Sequence, residues 1–403
     1  MGGRARWARR AGRVATMVAV CLVLSTVTAG AASNWSVVAI ANPGGSNLSF
    51  LDGVSCKSQG NLASCVAVGS FVSAKGKSRA LIERWAGKKW KMVTSPVPAS
   101  ALSSVLNAVS CASATNCMAV GSLKSSVTTP SKPIAVHWNG KSWRSVPTTA
   151  PSGSTNAYFN GVSCTSARSC IAVGSYTSSS TMGSSLIERW DGKIWRMMSS
   201  PNGAGPSTML AAVSCTGSGA AVACAAVGSY SARPEGNPYF AFAARMVRGR
   251  WSPMGTPKVS NDQSNALSSV SCTSAKNCFA VGGRRRGLGA TLIERWNGKK
   301  WAVVTSVNPK GYTLSQFNGV SCATATNCVA AGLYSRDSVV DFTLINRWNG
   351  KKWAADSSPK PAGAAGSAFT GVSCVRGSRC FAVGTYLTSK FANPPAGFTA
   401  RHR

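Results

Sequence analysis

The sequence predicts an all-β fold: a seven-bladed β-propeller of four-stranded antiparallel blades, closed by an N-terminal strand that completes the last blade. Three observations predict it. One unit repeats seven times, its first cysteines standing at Cys56, Cys111, Cys164, Cys215, Cys272, Cys322 and Cys374, 50 to 57 residues apart. Each unit holds four short strand-like runs separated by turn signals. The chain ends are complementary. The seventh unit stops near Arg401, where its third strand should end, and residues 33–40 read as a fourth strand, with Trp35 in the place of the repeat's second Trp. A stacked β-solenoid is the alternative, but a solenoid calls for caps rather than complementary ends.

The third unit serves as the type. Its first strand closes on Phe159-Asn-Gly-Val-Ser-Cys164 and its second opens on Cys170-Ile-Ala-Val-Gly174. Its third is Leu186-Ile-Glu-Arg-Trp190, and its fourth starts at Trp195. Between the third and fourth strands stand Asn139-Gly140, Asp191-Gly192, Asn297-Gly298 and Asn349-Gly350, dipeptides that tolerate positive φ and favour tight hairpins. No segment sustains a 3.6-residue apolar period, so helices are expected to be scarce.

Fourteen of the fifteen cysteines fall into close pairs: Cys56/Cys65, Cys111/Cys117, Cys164/Cys170, Cys215/Cys224, Cys272/Cys278, Cys322/Cys328 and Cys374/Cys380. The spacing fits a bridge across the hairpin of strands one and two. A metal site needs tighter cysteine spacing and usually histidine, and the chain has two His, so no metal or cofactor is expected. Pairing on this scale belongs to an oxidising compartment. The N-terminus agrees: Arg4, Arg6, Arg9, Arg10 and Arg13 precede an apolar run from Val14 to Val27 and a small-x-small signal at Ala29-Gly30-Ala31. Residues 1–32 are therefore expected to be a cleaved secretory signal peptide, and residues 33–403 the propeller. Arg9-Arg10 leaves twin-arginine export as an alternative, and Cys21 a lipid anchor, although Cys21 lies inside the apolar run. No later stretch is long and apolar enough for a membrane helix.

The repeat resembles the secreted repeat proteins of actinobacteria that carry Ser-Cys…Cys-x-Ala-Val-Gly and Ile-Glu-Arg-Trp-Asn-Gly-x-x-Trp. More distantly, its hairpin is similar to the Asp-box of sialidases and of photosystem II assembly-factor-like propellers, where Trp follows Gly by three. Gly140 to Trp143 and Gly298 to Trp301 keep that spacing, while Trp138 and Trp296 replace the Asp of the box. The resemblance spans residues 33–403 and implies architecture rather than activity.

Charge points to partners. The chain has 44 Lys+Arg against 10 Asp+Glu, and removal of the leader leaves 39 basic side chains. Polyanions are the natural partners of such a surface. The turns between strands three and four supply Lys88, Lys89, Lys141, Lys193, Arg250, Lys299, Lys300, Lys351 and Lys352, a basic rim expected to share one face with the disulfide hairpins. This rim is the candidate binding surface for an anionic cell-wall polymer, set against the plainer reading of lysine as a solvated turn residue. A second recurring column, Arg84, His137, Arg189, Arg245, Arg295, Arg347 and Arg401, precedes the first Trp place of each unit. It reads either as an anion-binding ring or as a set of struts between blades. The tryptophans read as packing elements, because a binding aromatic need not recur in every blade.

A protein-docking scaffold and an Asp-box glycosidase are the competing classes. Hydrolysis of a glycoside normally needs two placed carboxylates. The acids expected on the opposite, Ser/Thr-rich loop face are Asp52, Glu235, Asp262, Asp337 and Asp341. No Ser-His-Asp arrangement or Gly-x-Ser-x-Gly elbow is assignable, so no catalytic residue is named and a non-catalytic binding role is expected. Nucleic acid is disfavoured by the extracellular address and by the want of a recognised motif. A secreted monomer, with an anionic cell-wall polymer or a surface protein as partner, is the resulting expectation.

Overall fold

The computed structural model describes residues 34–402 apart from 42, 44–47, 60–61, 235, 260–262, 338, 377–378 and 389–394. The expected leader, with Cys21, lies outside the described residues, as do Glu235 and Asp262. Among the described residues the chain is all-β, save for a three-residue 3-10 turn at Gly219–Ala221. No helix there is long and apolar enough to cross a membrane.

Seven four-stranded antiparallel units follow one another. Unit one comprises Leu48–Gln59, Leu62–Val72, Ser78–Trp85 and Trp90–Met92; unit two Ser103–Ser113, Asn116–Lys124, Lys132–Trp138 and Trp143–Val146. Unit three comprises Ser154–Ser166, Ser169–Ser178, Thr181–Trp190 and Trp195–Met197; unit four Ser207–Thr216, Ala223–Ser231, Tyr239–Val247 and Arg250–Met254. Unit five comprises Ser264–Ser274, Asn277–Arg286, Leu288–Trp296 and Trp301–Val303; unit six Leu314–Thr324, Asn327–Ser335, Asp341–Trp348 and Trp353–Asp356. Unit seven has Gly366–Val375, Arg379–Leu387 and Ala396–His402, and its fourth strand is Trp35–Val38, paired from Trp35↔His402 to Val38↔Thr399. One parallel pair, Gly183↔Ser207, joins the sheets of units three and four.

The repeated residues explain the repeated shape. Every first strand carries a bulge at the same place, between Phe159 and Gly161 in unit three and between Leu51 and Gly53 in unit one. A bulge sharpens the local bend, and it brings the facing strand very close. A Cβ on Gly174 would sit 1.9 Å from the Tyr158 carbonyl oxygen, and one on Gly384 would sit 2.1 Å from that of Ala368. The Gly of each Ala-Val-Gly is there because no side chain fits. The bulged residue turns its own side chain to the next unit: Asn107 Nδ2 donates to Phe159 O (2.7 Å), Asn160 Nδ2 to Leu210 O (2.9 Å) and Asn318 Nδ2 to Phe369 O (2.7 Å).

A second set of bonds links the same strands. The serine before each first cysteine accepts the N–H of the next unit's first cysteine, as from Cys111 to Ser55 (3.0 Å) and from Cys164 to Ser110 (2.9 Å). The set runs on through Cys215 to Ser163, Cys272 to Ser214, Cys322 to Ser271 and Cys374 to Ser321. Its seventh member runs from Cys56 of unit one to Ser373 of unit seven, at 2.9 Å.

All seven cysteine pairs expected from the spacing are bonded. Cys56 bridges to Cys65, Cys111 to Cys117, Cys164 to Cys170 and Cys215 to Cys224. Cys272 bridges to Cys278, Cys322 to Cys328 and Cys374 to Cys380. The Cα atoms stand 3.9–4.1 Å apart, because each pair occupies directly facing positions of strands one and two. The second cysteine is the deeper partner: Cys65, Cys117, Cys170, Cys224, Cys278, Cys328 and Cys380 are all buried, whereas Cys215, Cys272, Cys322 and Cys374 are only partly so. The bridges are thus part of the packed frame, at the same place in every unit.

The core divides in the same way, into clusters between successive units. Val66, Val68 and Ile82 of unit one pack with Leu106, Val109 and Trp138 of unit two, where the Cys111–Cys117 bridge joins them. Phe381 and Val383 of unit seven pack with Leu51, Leu81, Trp85 and the Cys56–Cys65 bridge of unit one. Buried phenylalanines and leucines of this kind each contribute roughly 1.5–3 kcal/mol. The two Trp places of a unit meet edge-on or tilted, at 5.6 Å for Trp85–Trp90 and 5.8 Å for Trp348–Trp353. In unit seven His402 takes the first place and lies 5.3 Å from Trp35.

Candidate functional site

The chain presents two faces of different chemistry. The turns between strands three and four pack on the disulfide hairpins of their own units. A Cβ on Gly192 would meet the Arg168 side chain, and one on Gly298 that of Lys276. Lys88, Lys89, Lys141, Lys193, Arg250, Lys299, Lys300, Lys351 and Lys352 are all exposed on these turns. Their hairpins are shaped locally: Asn139, Asn297 and Asn349 Oδ1, and Asp191 Oδ1, each accept the backbone N–H groups two and three residues on. Asp191 also pairs with Arg196 at 3.3 Å.

The arginine column lies at the seams between units. Arg84 stacks over Trp138 of unit two (4.4 Å), and Arg401 lies over Trp85 of unit one (5.8 Å). Arg295 lies over Trp348 of unit six (5.6 Å) and bonds to Asn277 Oδ1 (3.2 Å). His137 meets Asn116 at 2.9 Å and faces Trp190 at 6.2 Å; burial lowers its pKa. Arg347 pairs with Asp356 at 3.1 Å. Arg245 and Arg189 are exposed instead. Such contacts tie unit to unit through cation–π attraction, and the seven side chains do not converge on one point.

Acids are also buried within the sheets. Glu83, Glu188 and Asn346 occupy one position of the third strands and accept a backbone N–H from the preceding linker: Ala41 (3.4 Å), Thr149 (3.2 Å) and Val307 (3.1 Å). Each donor stands six places after a second Trp. Where that place is Pro96, Pro201 or Pro359, without an N–H, the following unit carries Val136, Ala244 or Ala400 instead. Unit five breaks the rule by combining Pro257 with Glu294. Both Glu294 carboxyl oxygens are buried without a hydrogen-bond partner, and burial pushes the group up to about 8. Glu83 and Glu188 are pushed up to about 7 by the same cause, opposed by their single backbone bonds.

The loop acids scatter. Asp52 is not on a loop: it is the bulged residue of unit one's first strand, pushed up to about 6 by burial. Asp337 closes its own turn, accepting the N–H groups of Val339 and Val340 at 3.0 Å. Asp341 is raised by burial and by the nearby Asp337, and it borders a hollow of only about 90 Å³.

A cleft of about 970 Å³ opens on the loop face across units three to six. Its walls are the starts of first strands (Ser207–Met209, Ser264–Ser268, Leu314–Gln316) and the ends of second strands (Ser175, Ser229, Arg284). Among the described residues, two cations line it, Arg284 and Arg285. They reach it because unit five shortens its loop between strands two and three to a tight turn at Gly287 (φ 74°), pairing Arg285 with Gly289. Tyr158 and Tyr239 add aromatic faces, and Met182, Met209, Leu288 and Leu314 stand 37–56% exposed along the walls. Ser315 Oγ lines the same cleft, buried and without a partner. No carboxylate is among the described lining residues. Neither Arg284 nor Arg285 belongs to a recurring column. Their signal in the sequence was a departure: Gly283-Arg284-Arg285 where other units run Ser-Tyr-Thr or Leu-Tyr-Ser.

No family model matches the chain, and no curated protein matches it. Among solved structures it is similar to a PL25 ulvan lyase bound to -[GlcA(1-4)Rha3S]-, with a TM-score of 0.52 and 10% identity over 90% of this chain and 92% of that one. A second structure of that polysaccharide lyase gives 0.53 and 9%, over 88% and 94%. The Trypanosoma rangeli sialidase in complex with the inhibitor DANA gives 0.49 and 9%, over 91% of this chain and 59% of that one. At such identities the likeness to the lyase concerns the fold.

Proposed function

We propose that the seven units form a closed seven-bladed propeller, exported to an oxidising compartment, that binds an anionic polysaccharide in the loop-face cleft without chemically altering it. The lining of that cleft carries the reading. Saccharides present apolar C–H faces, hydroxyls and, here, carboxylate or sulfate groups. The cleft offers tyrosine and aliphatic walls to the first, serine and asparagine groups to the second, and Arg284 with Arg285 to the third. Its volume lies at the top of the range for ligand sites. The described lining holds no carboxylate pair of the kind glycoside hydrolysis uses, which favours binding over hydrolysis. The lyase of similar fold is itself bound to a glucuronate- and sulfate-bearing chain in its structure.

A second contact is favoured by one further observation. The nine rim cations are all exposed, and no ion pair among the described residues engages them. A long cell-wall polyanion on the turn face would meet an additive, salt-sensitive field.

Affinity electrophoresis tests both readings, in gels cast with a polyuronate, a sulfated glycan or a neutral glucan. The anionic gels should retard the protein, added salt should relieve the retardation, and the Arg284→Ser/Arg285→Ser variant should lose most of it. Equal retardation by the neutral glucan, or an unaffected double variant, would overturn the cleft reading. A variant reversing Lys299, Lys300, Lys351 and Lys352 to Glu separates the rim: if it binds as the wild type does, the rim takes no part.

A further inference from the structure

Unit four departs from the repeat in three places, and the three departures meet at one pocket. Met246 stands where the other units carry the first Trp or, in unit seven, His402. Arg248 stands where units one, two, three, five and six have the turn glycine: Gly87, Gly140, Gly192, Gly298 and Gly350. Those glycines all have φ between 81° and 100°. Arg248 is held at φ 52°, a left-handed conformation that disfavours a side chain, and it is the one non-glycine residue with positive φ among those described. The disulfide hairpin of unit four, like that of unit one, is longer than the other five, with Gly219, Ala220 and Val222 between Cys215 and Cys224.

These changes open a pocket of about 460 Å³ on the turn face, lined by Ile171, Arg189, Val222, Met246, Arg248 and the Gly219 segment. Arg189 belongs to the column in which Arg84, Arg295 and Arg401 lie over the next unit's Trp. At this seam the ring is absent, because the residue in its place is Met246. Arg189 is exposed and lines the pocket from unit three, while Arg248 lines it from unit four. Of the acids beside Arg189 in sequence, Glu188 is buried and accepts the Thr149 N–H, and Asp191 is held by Arg196 and by its own turn.

We propose that this pocket is a second ligand site, taking a small polar molecule that carries a phosphate monoester. Two guanidinium groups present ten N–H donors in fixed forks, which suits an oxyanion with three terminal oxygens better than a single carboxylate. Ile171, Val222 and Met246 give the rest of the ligand an apolar wall. The backbone strain at Arg248 is accounted for, since glycine would hold the turn without strain but would bring no charge.

The probes are glucose 6-phosphate, inorganic phosphate and glucose, titrated calorimetrically into the folded protein. Glucose 6-phosphate should bind, inorganic phosphate should bind more weakly, and glucose should not bind. Arg189→Ala and Met246→Trp, the latter refilling the ring position, should each weaken glucose 6-phosphate by roughly tenfold or more. Arg248→Gly should weaken it similarly while raising the melting temperature, a pairing that a purely structural arginine would not give. Arg284→Ser/Arg285→Ser should leave it unchanged, which keeps this site distinct from the cleft. If the wild type binds neither phosphate, or if Arg189→Ala, Met246→Trp and Arg248→Gly all bind as the wild type does, the proposal is wrong.

Discussion

The backbone N–H of Cys56 donates to the hydroxyl of Ser373 at 2.9 Å, across 317 positions of chain. The other six bonds of the set join neighbouring units, and this one joins the first unit to the last. With the Trp35↔His402 strand pairing and the Phe381–Trp85 contact at 5.1 Å, it places three kinds of interaction between the two ends of the chain.

Removal of that hydroxyl should be felt as strongly as removal of an interior one. Ser373→Ala leaves the Cys56 N–H without an acceptor, and Ser271→Ala does the same to Cys322. Each should lower stability by about 1 kcal/mol, read from the urea midpoint at constant slope. If Ser271→Ala destabilises and Ser373→Ala does not, the ends are not joined in solution.

Glu294 should make the protein less stable as the medium becomes alkaline. Its carboxyl is raised in the folded state from the usual 4.5 to about 8, so the folded chain binds a proton that the unfolded chain has released. Stability is therefore greatest below about pH 4.5 with respect to this group, falls as pH rises through the interval, and is fully lost above about pH 8. Glu83, Glu188 and Asp52 act in the same direction over narrower intervals. Glu294→Val, the pairing that Pro96 and Val136 already use, should stabilise the protein at pH 9 by roughly 2–4 kcal/mol and do much less at pH 5. Thermal melts of both proteins across that range check it; parallel curves would mean that the carboxyl finds a partner.

Each disulfide closes a short hairpin, so each should contribute about 2–3 kcal/mol in the chain-entropy model. Replacing Cys164 and Cys170 with alanine should lower the melting temperature by several degrees, and full reduction should unfold the chain. A melting temperature indifferent to reductant would assign the stability to the clusters between units alone.

The architecture was legible because it is periodic. Strand-forming runs, Asn-Gly turns and cysteine pairs recur at fixed offsets, and seven copies of a weak signal make a strong one. Pairs such as Cys278 with Cys272, or Cys328 with Cys322, could be read from spacing because a hairpin sets its own partners locally. The pairing of Trp35 with His402 was legible too, since each end lacked what the other had. What a column does was less so. Arg84, His137, Arg295 and Arg401 reach the aromatic residue of the following unit, and that partner is set by how units stack, not by spacing along the chain. The cleft was missed for the opposite reason. Recurrence picks out shared residues, whereas Arg284 and Arg285 line the cleft because their unit departs from the pattern. Arg248 and Met246 in unit four are departures of the same sort. In this fold most shared residues serve the common frame, and the cleft and the unit-four pocket lie where one copy differs.

The most direct test of the central claim is hydrogen–deuterium exchange of residues 33–403, with and without a uronate oligosaccharide. Binding in the cleft predicts slowed exchange at Ser207–Met209, Ser264–Ser268, Gly283–Leu288 and Thr313–Gln316, with the Lys-bearing turns unchanged. Protection confined to those turns, or none anywhere while the oligosaccharide is bound, would contradict it.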